Sequence, residues 1–238
     1  MYSREQFAKM IDNTLLRPDA TKSDILWLCE ESAHRHFASV CLLPCWVGTA
    51  ARLLDGSDVK VCTVISFPFG ACTRLTKAFE VRNAIANGAR EVDAVMNIGR
   101  FKSGDDDYVA QDMRDMADAC NAGGMDGGSR RVLLKIIIET HCLTDEEKEH
   151  AARMVRDSGA DFVKTSTGTA GGGATVEDIR RLRRALGPPY IGIKASGGIK
   201  TVETALRMLD AGANRIGTSC GIALHDAYHP EDFKEAPG

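Results

Sequence analysis

The chain has 238 residues, 44% hydrophobic and 26% charged, which suits an ordinary globular protein of one large α/β domain or two small ones. Its net charge of −3 gives no electrostatic case for nucleic acid or an anionic membrane as partner. No stretch approaches the ~20 apolar residues of a membrane span, and the start, Met1 to Glu5, has no apolar signal core. With eight cysteines, the expectation is reduced thiols and a cytoplasmic location. Cys41 and Cys45 lack a second pair or a histidine at zinc spacing, so no metal site is expected.

Arg4 to Met10 reads as a short helix and Ile11 to Leu16 as a first strand, broken at Pro18. Thr21 and Ser23 can cap a helix to about Arg35. A second strand, Phe37 to Leu43, stops at Pro44, and a helix from about Trp46 to Leu54 follows. Val59 to Ile65 is a third strand and Thr73 to Asn87 a helix. Glu91 to Asn97 is a fourth strand, then Lys102 to Asn121 a long helical stretch. The pairs Gly123-Gly124 and Gly127-Gly128 mark a loop. Val132 to Glu139 is a fifth strand, and Thr144 with Glu147 forms a capping box for a helix to about Ser158. Asp161 to Lys164 is strand six, and Thr175 caps a helix to Leu186. Tyr190 to Lys194 is strand seven, Thr201 to Asp210 a helix, and Ala213 to Ile216 strand eight. The segment from about His225 is polar and reads as loose.

Eight strands alternating with helices predict a (β/α)8 barrel, a single domain over residues 1–238 with a short N-terminal helix. The apolar strands suit a parallel sheet covered on both faces. A doubly wound open sheet is the other architecture, but the GxGxxG fingerprint that usually follows its first strand is absent.

Catalytic groups of such barrels lie at the C-terminal ends of the strands. Asp12, Asp93, Asn97, Lys135, Glu139, Lys164 and Lys194 are polar residues in otherwise apolar strands. Lys164 and Lys194 are one helix apart, so their strands are neighbours, ~4.8 Å from one another. Two ammonium groups so close repel, burial adds to the effect, and one lysine loses its proton more easily. A neutral lysine amine adds to carbonyls and forms a Schiff base. Asp93 is then placed to relay protons. The competing reading is a barrel ion pair with no chemistry.

Ser196-Gly197-Gly198 and Gly217-Thr218-Ser219 follow strands seven and eight, where many barrels bind phosphate through backbone N–H groups. Gly168 and Gly171-Gly172-Gly173 add further amides, although each glycine alone is consistent with a tight turn. The six histidines have no shared ligand spacing, which disfavours a zinc enzyme. His141 reads as a loop residue near the mouth, and Cys41 as small buried filler.

These motifs resemble the 2-deoxyribose-5-phosphate aldolase family, class I aldolases on a (β/α)8 barrel. The resemblance runs from Ile11 to about Gly221. It is carried by the segments from Asp12 to Thr21, Val61 to Pro68, Glu91 to Gly99, Lys164 to Gly168, Lys194 to Gly198 and Arg215 to Ser219. It implies reversible cleavage of 2-deoxy-D-ribose 5-phosphate to D-glyceraldehyde 3-phosphate and acetaldehyde, with no cofactor or metal. It implies Lys164 as the Schiff-base lysine, Lys194 as the neighbour that lowers its pKa, and Asp93 as the proton relay. Thr167, Gly168, Gly197, Gly198, Gly217 and Ser219 match substrate and phosphate-loop positions, and Asp12 and Thr14 positions near the sugar hydroxyls. The small-molecule sugar phosphate is the partner expected, with a homodimer as the possible assembly. The chain departs from the family pattern at Asn13, Arg17 and Cys220, and the final residues, Glu235 to Gly238, lack the tyrosine of some members.

Overall fold

Eight parallel strands close into a barrel in chain order, so the last strand pairs with the first. The computed structural model describes residues 2–122, 132–188 and 190–233. The strands are β1 (Ile11–Leu15), β2 (Ser39–Leu42), β3 (Lys60–Ile65), β4 (Glu91–Val95), β5 (Leu133–Ile137), β6 (Phe162–Lys164), β7 (Gly192–Ser196) and β8 (Arg215–Thr218). Around them lie α1 (Arg4–Ala8), α2 (Lys22–His34), α3 (Val47–Leu53), α4 (Arg74–Ala86), α5 (Ile98–Lys102), α6 (Asp106–Ala122), α7 (Asp145–Asp157), α8 (Val176–Leu186), α9 (Val202–Asp210) and α10 (Gly221–Ala227). The (β/α)8 class and the short N-terminal helix are as the alternation implies.

The helices start where capping chemistry places them. Thr21 and Thr144 each make a reciprocal capping box, and Thr73, Thr175 and Thr201 each accept from the backbone N–H three residues on. Their apolar faces pack on the outward side chains of the strands, including Val40, Val92, Ile136, Val163 and Ile216, in one continuous core. Lys77 of α4 donates to Asp112 of α6 at 2.5 Å and to the Val95 carbonyl at 3.0 Å, which ties both helices to the end of β4.

Several expected boundaries move. β7 and β8 each lie two residues beyond the spans expected, because a strand's outward apolar face does not mark where pairing stops. Asn97 is outside β4: its side chain caps α5 by accepting from the Arg100 N–H at 3.1 Å. The long helical stretch expected from Lys102 starts at Asp106 as α6, and the short helix α5 ends at Lys102 before it; Gly104 between them has a φ of +74°. The segment from His225 is not loose as far as Phe233. His225 lies in α10, and Tyr228 is buried, with its ring centroid 4.3 Å from that of Phe7 and its hydroxyl donating to Tyr2 O at 2.7 Å. Because Tyr2 and Phe7 precede β1, these contacts hold Tyr228 at the N-terminal end of the barrel. The expected glycine loop at Gly123-Gly124 and Gly127-Gly128, and the tail from Glu235 to Gly238, lie outside the described residues.

Candidate active site

The barrel interior is ionic where most barrels place Val, Ile and Leu. Strand period two sends Glu91 and Asp93 inward and Val92 and Ala94 outward. The inward residues form tiers drawn from alternate strands. Ser39, Glu91, Phe162 and Arg215 lie lowest, then Asp12, Cys62, Lys135 and Lys194, then Cys41, Asp93, Lys164 and Gly217.

Asp93 is at the centre. Its Oδ2 accepts from Lys164 Nζ at 2.8 Å and from Lys194 Nζ at 2.6 Å, and its Oδ1 accepts from Lys135 Nζ at 3.0 Å. Lys164 ends β6 and pairs in register with Lys194 of β7, which explains how both amines reach one oxygen. Lys194 also pairs with Asp12, and Lys135 with Glu91 at 2.5 Å. Arg215 grips Asp12 and Glu91. All seven are nearly or fully buried, so each charge depends on its partners to offset several kcal/mol of desolvation. With every group ionised, the four cations exceed the three carboxylates by one charge.

The field inside the cluster is strong. For Asp93, burial pushes the carboxyl up, but Lys135, Lys164 and Lys194 outweigh it and hold it well below the carboxylate range. For Lys194, burial works against the charge, but Asp12 and Asp93 outweigh it and hold the ammonium above the lysine range. The repulsion expected between the two lysines is therefore mediated by the carboxylate between them, and Lys194 is held charged.

Cys41 is not mere filler in position. Its Sγ lies 4.0 Å from Asp93 Oδ2, and Cys62 Sγ lies 3.2 Å from Oδ1. Cys41, Cys62 and Asp93 bring three potential ligand atoms within 4.8 Å of one another. Both Asp93 oxygens are already taken by lysine ammonium groups, so this trio is part of the ion cluster.

The loops after β5, β6 and β7 form the rim. Glu139 is not in β5. It has a left-handed backbone, φ +53°, and its buried carboxylate accepts from Thr167 Oγ1 at 2.5 Å and from Thr167 N at 3.2 Å. Ser196 Oγ donates to Ser166 O at 2.6 Å, and Ala174 N donates to Ser196 O at 3.0 Å. Gly173 and Gly197 touch backbone to backbone, since a Cβ on Gly173 would lie 2.4 Å from Gly197 O. Gly168 and Gly198 are exposed.

Other expected site residues are distributed along this axis. Thr14, half-buried, is two residues above Asp12 and donates to the Asp12 carbonyl at 2.9 Å. Gly217 packs on Lys194, where a Cβ would lie 2.9 Å from Cε. Ser219 is exposed at the end of β8, next to half-buried Cys220, whose N–H donates to Thr218 Oγ1 at 3.0 Å. Asp12 is deeper than a residue open to the mouth. It is fully buried, and Oδ1 accepts from Ser39 Oγ at 2.7 Å and from Arg215 Nε at 2.9 Å. Glu91 and Arg215 were not singled out from the sequence, although the period-two spacings Glu91-Asp93 and Arg215-Gly217 carry the signal.

The arrangement presents amines and a carboxylate in a buried interior beneath a glycine-rich rim, the means for carbonyl addition and proton transfer. Comparison with known proteins agrees with that chemistry. The sequence profile of the DeoC/LacD family aldolases matches residues 7–227. The chain is 54% identical to the deoxyribose-phosphate aldolase of Geobacillus sp. (strain WCH70) over 217 residues, 91% of this chain and 93% of that one. It is 54% identical to deoxyribose-phosphate aldolase 1 of Bacillus licheniformis over 220 residues, 92% of this chain and 95% of that one. The tetrameric deoxyribose phosphate aldolase of Aeropyrum pernix superposes with a TM-score of 0.85 at 31% identity, covering 94% of this chain and 92% of that one. On this sequence match and this shared barrel, the chain belongs to the DeoC/LacD family of aldolases.

Proposed function

We propose that this chain reversibly cleaves 2-deoxy-D-ribose 5-phosphate to D-glyceraldehyde 3-phosphate and acetaldehyde through a Schiff base on Lys164. The observation that carries the reading is the single oxygen, Asp93 Oδ2, bonded by both Lys164 and Lys194. Among the described residues, Lys135 has three carboxylate partners, Lys194 and Arg215 have two each, and Lys164 has one. Loss of one proton balances the cluster, and the lysine with a single partner forfeits the least pairing.

A neutral amine at Lys164 adds to the aldehyde carbon of the open-chain sugar and, with uptake of one proton and loss of water, gives an iminium. A base takes the C3 hydroxyl proton, and the C2–C3 bond breaks with its electron pair passing into the iminium. The C3–C5 fragment leaves as glyceraldehyde 3-phosphate. Protonation of the enamine at C2 and hydrolysis release acetaldehyde and restore the amine. Asp93 is assigned the proton relay, and Lys194 the fixed positive charge beside it. Asp12 acts through Lys194, while Thr14 and Thr167 border the mouth. The loop amides of Gly168, Gly197 and Gly198, with Ser219, are assigned to the phosphate.

The test is release of glyceraldehyde 3-phosphate by the parent and by Lys164→Ala. The reading expects turnover only in the parent, and full turnover in the variant would sink it. Equal turnover of 2-deoxyribose without its phosphate would point to another aldehyde substrate. A cytoplasmic location fits eight free cysteines. No helix among the described residues is long and apolar enough to cross a membrane. A homodimer fits the exposed side chains of Phe69, Leu75 and Phe79, and sedimentation would read the assembly.

A further inference from the structure

We propose that Glu91 and Arg215 are positioning residues that set the charge of the barrel interior beneath Lys164. The proposal rests on the reading of Lys164 as the imine-forming amine. Glu91 opens β4 and Arg215 opens β8, on opposite sides of the barrel. They meet across the interior, with Arg215 Nη2 donating to Glu91 Oε2 at 2.9 Å and Nη1 to Oε1 at 3.3 Å. Packing alone does not require an ion pair there. Phe162 fills part of the same tier, and apolar residues of similar volume often replace a buried pair at no loss of stability.

What the pair does is reach upward along two paths. Glu91 takes Lys135 at 2.5 Å, and Lys135 takes Asp93 Oδ1. Arg215 takes Asp12, and Asp12 takes Lys194. Both paths end on Asp93, the first on Oδ1 and the second on Oδ2, the oxygen that Lys164 also bonds. The other ionisable groups facing this space are Cys41 of β2, Cys62 of β3 and, above them, Glu139 in the loop after β5. None of these three contacts Glu91 or Arg215 among the described hydrogen bonds. Glu91 thus supplies the anion that keeps the positive surplus at one, and Arg215 supplies one of the four cations.

The consequence has a sign. Removing the Glu91 charge raises the positive surplus, which favours neutral amine at Lys164 and extends imine formation to lower pH. Removing the Arg215 charge does the reverse. One charge acting across a barrel interior of effective dielectric about 20 shifts such a midpoint by about one pH unit.

The experiment traps the acetaldehyde imine with cyanoborohydride over a pH series and locates the adduct by peptide mass spectrometry. Glu91→Gln is expected to lower the midpoint by about one pH unit and Arg215→Met to raise it by about as much. The double variant is expected to return to the parent's midpoint, and Arg215→Lys to stay near it. A general loss of packing would lower the amplitude in all of them without opposite shifts. If Glu91→Gln does not fold, Arg215→Met against Arg215→Lys carries the same test. Unmoved midpoints, or shifts of one sign, with the parent's adduct on Lys164 overturn this inference alone. A parent adduct on another residue overturns both this inference and the reading beneath it.

Discussion

Lys164 and Lys194 stand side by side on β6 and β7, and both donate to the same carboxylate oxygen, Asp93 Oδ2, at 2.8 and 2.6 Å. Their environments differ below that oxygen. Lys194 continues to Asp12 and is fully buried, whereas Lys164 closes its strand with Asp93 as its one carboxylate partner among the described residues. Two equivalent-looking lysines in the sequence are therefore a fixed cation and a candidate nucleophile.

Lys194→Met removes the fixed cation and leaves Asp12 with one fewer partner. Turnover is expected to fall about 10²–10⁴-fold, the range for a lost proton-transfer or charge-stabilising group. Steady-state kinetics on 2-deoxyribose 5-phosphate check this, and a variant within a few-fold of the parent would remove Lys194 from the mechanism.

Stability should fall at both ends of the pH range. Asp12 and Asp93 titrate below their unfolded values, Asp12 against the pull of burial through Arg215, Lys194 and Lys135. Their contribution is complete above about pH 4 and is lost as pH falls through the folded range. Lys194 and Lys135 titrate above their unfolded values, since nearby carboxylates outweigh burial. Their contribution is complete below about pH 10 and is lost as pH rises further. Lys77 and Asp112 run the opposite way, because burial moves each toward its neutral form. Urea melts across the pH range read the sum, and stability that grows below about pH 4 would contradict it.

Gly173→Ala should loosen substrate binding more than it slows imine formation. The new methyl group meets Gly197 O at 2.4 Å and pushes the β6 and β7 loops apart. KM for the phosphorylated sugar is expected to rise about tenfold, the effect of losing one or two good amide contacts. Acetaldehyde trapping on Lys164 should persist. Equal losses in both assays would remove the loop from phosphate binding.

Tyr228→Phe should leave turnover within about twofold and cost about 1 kcal/mol of stability, the worth of one hydrogen bond. The hydroxyl lost is the one that bonds Tyr2 O at 2.7 Å, at the far end of the barrel from Lys164. A large drop in turnover with unchanged stability would place Tyr228 in the chemistry.

The order of the elements was legible in the sequence because capping and breaking residues mark it locally. Thr21, Thr144 and Thr175 begin helices where their hydroxyls suggest. The lysine pair and Asp93 stood out because charge in an apolar strand is costly. What stayed hidden depends on distant pairing. Arg215 and Glu91 are 124 positions apart, and only barrel closure brings them together. Asn97 and Glu139 lie on the expected alternation, yet both have left the strand, one to cap α5 and one to hold Thr167. The depth of Asp12 likewise follows from tiers set by strand stagger, which local sequence does not encode.

The most direct test is reductive trapping with 2-deoxyribose 5-phosphate followed by peptide mass spectrometry. A two-carbon or five-carbon adduct on Lys164, absent from Lys194 and Lys135, is the predicted result. An adduct on either of those lysines, or none at all in protein that turns substrate over, would contradict the assignment of Lys164 as the Schiff-base residue.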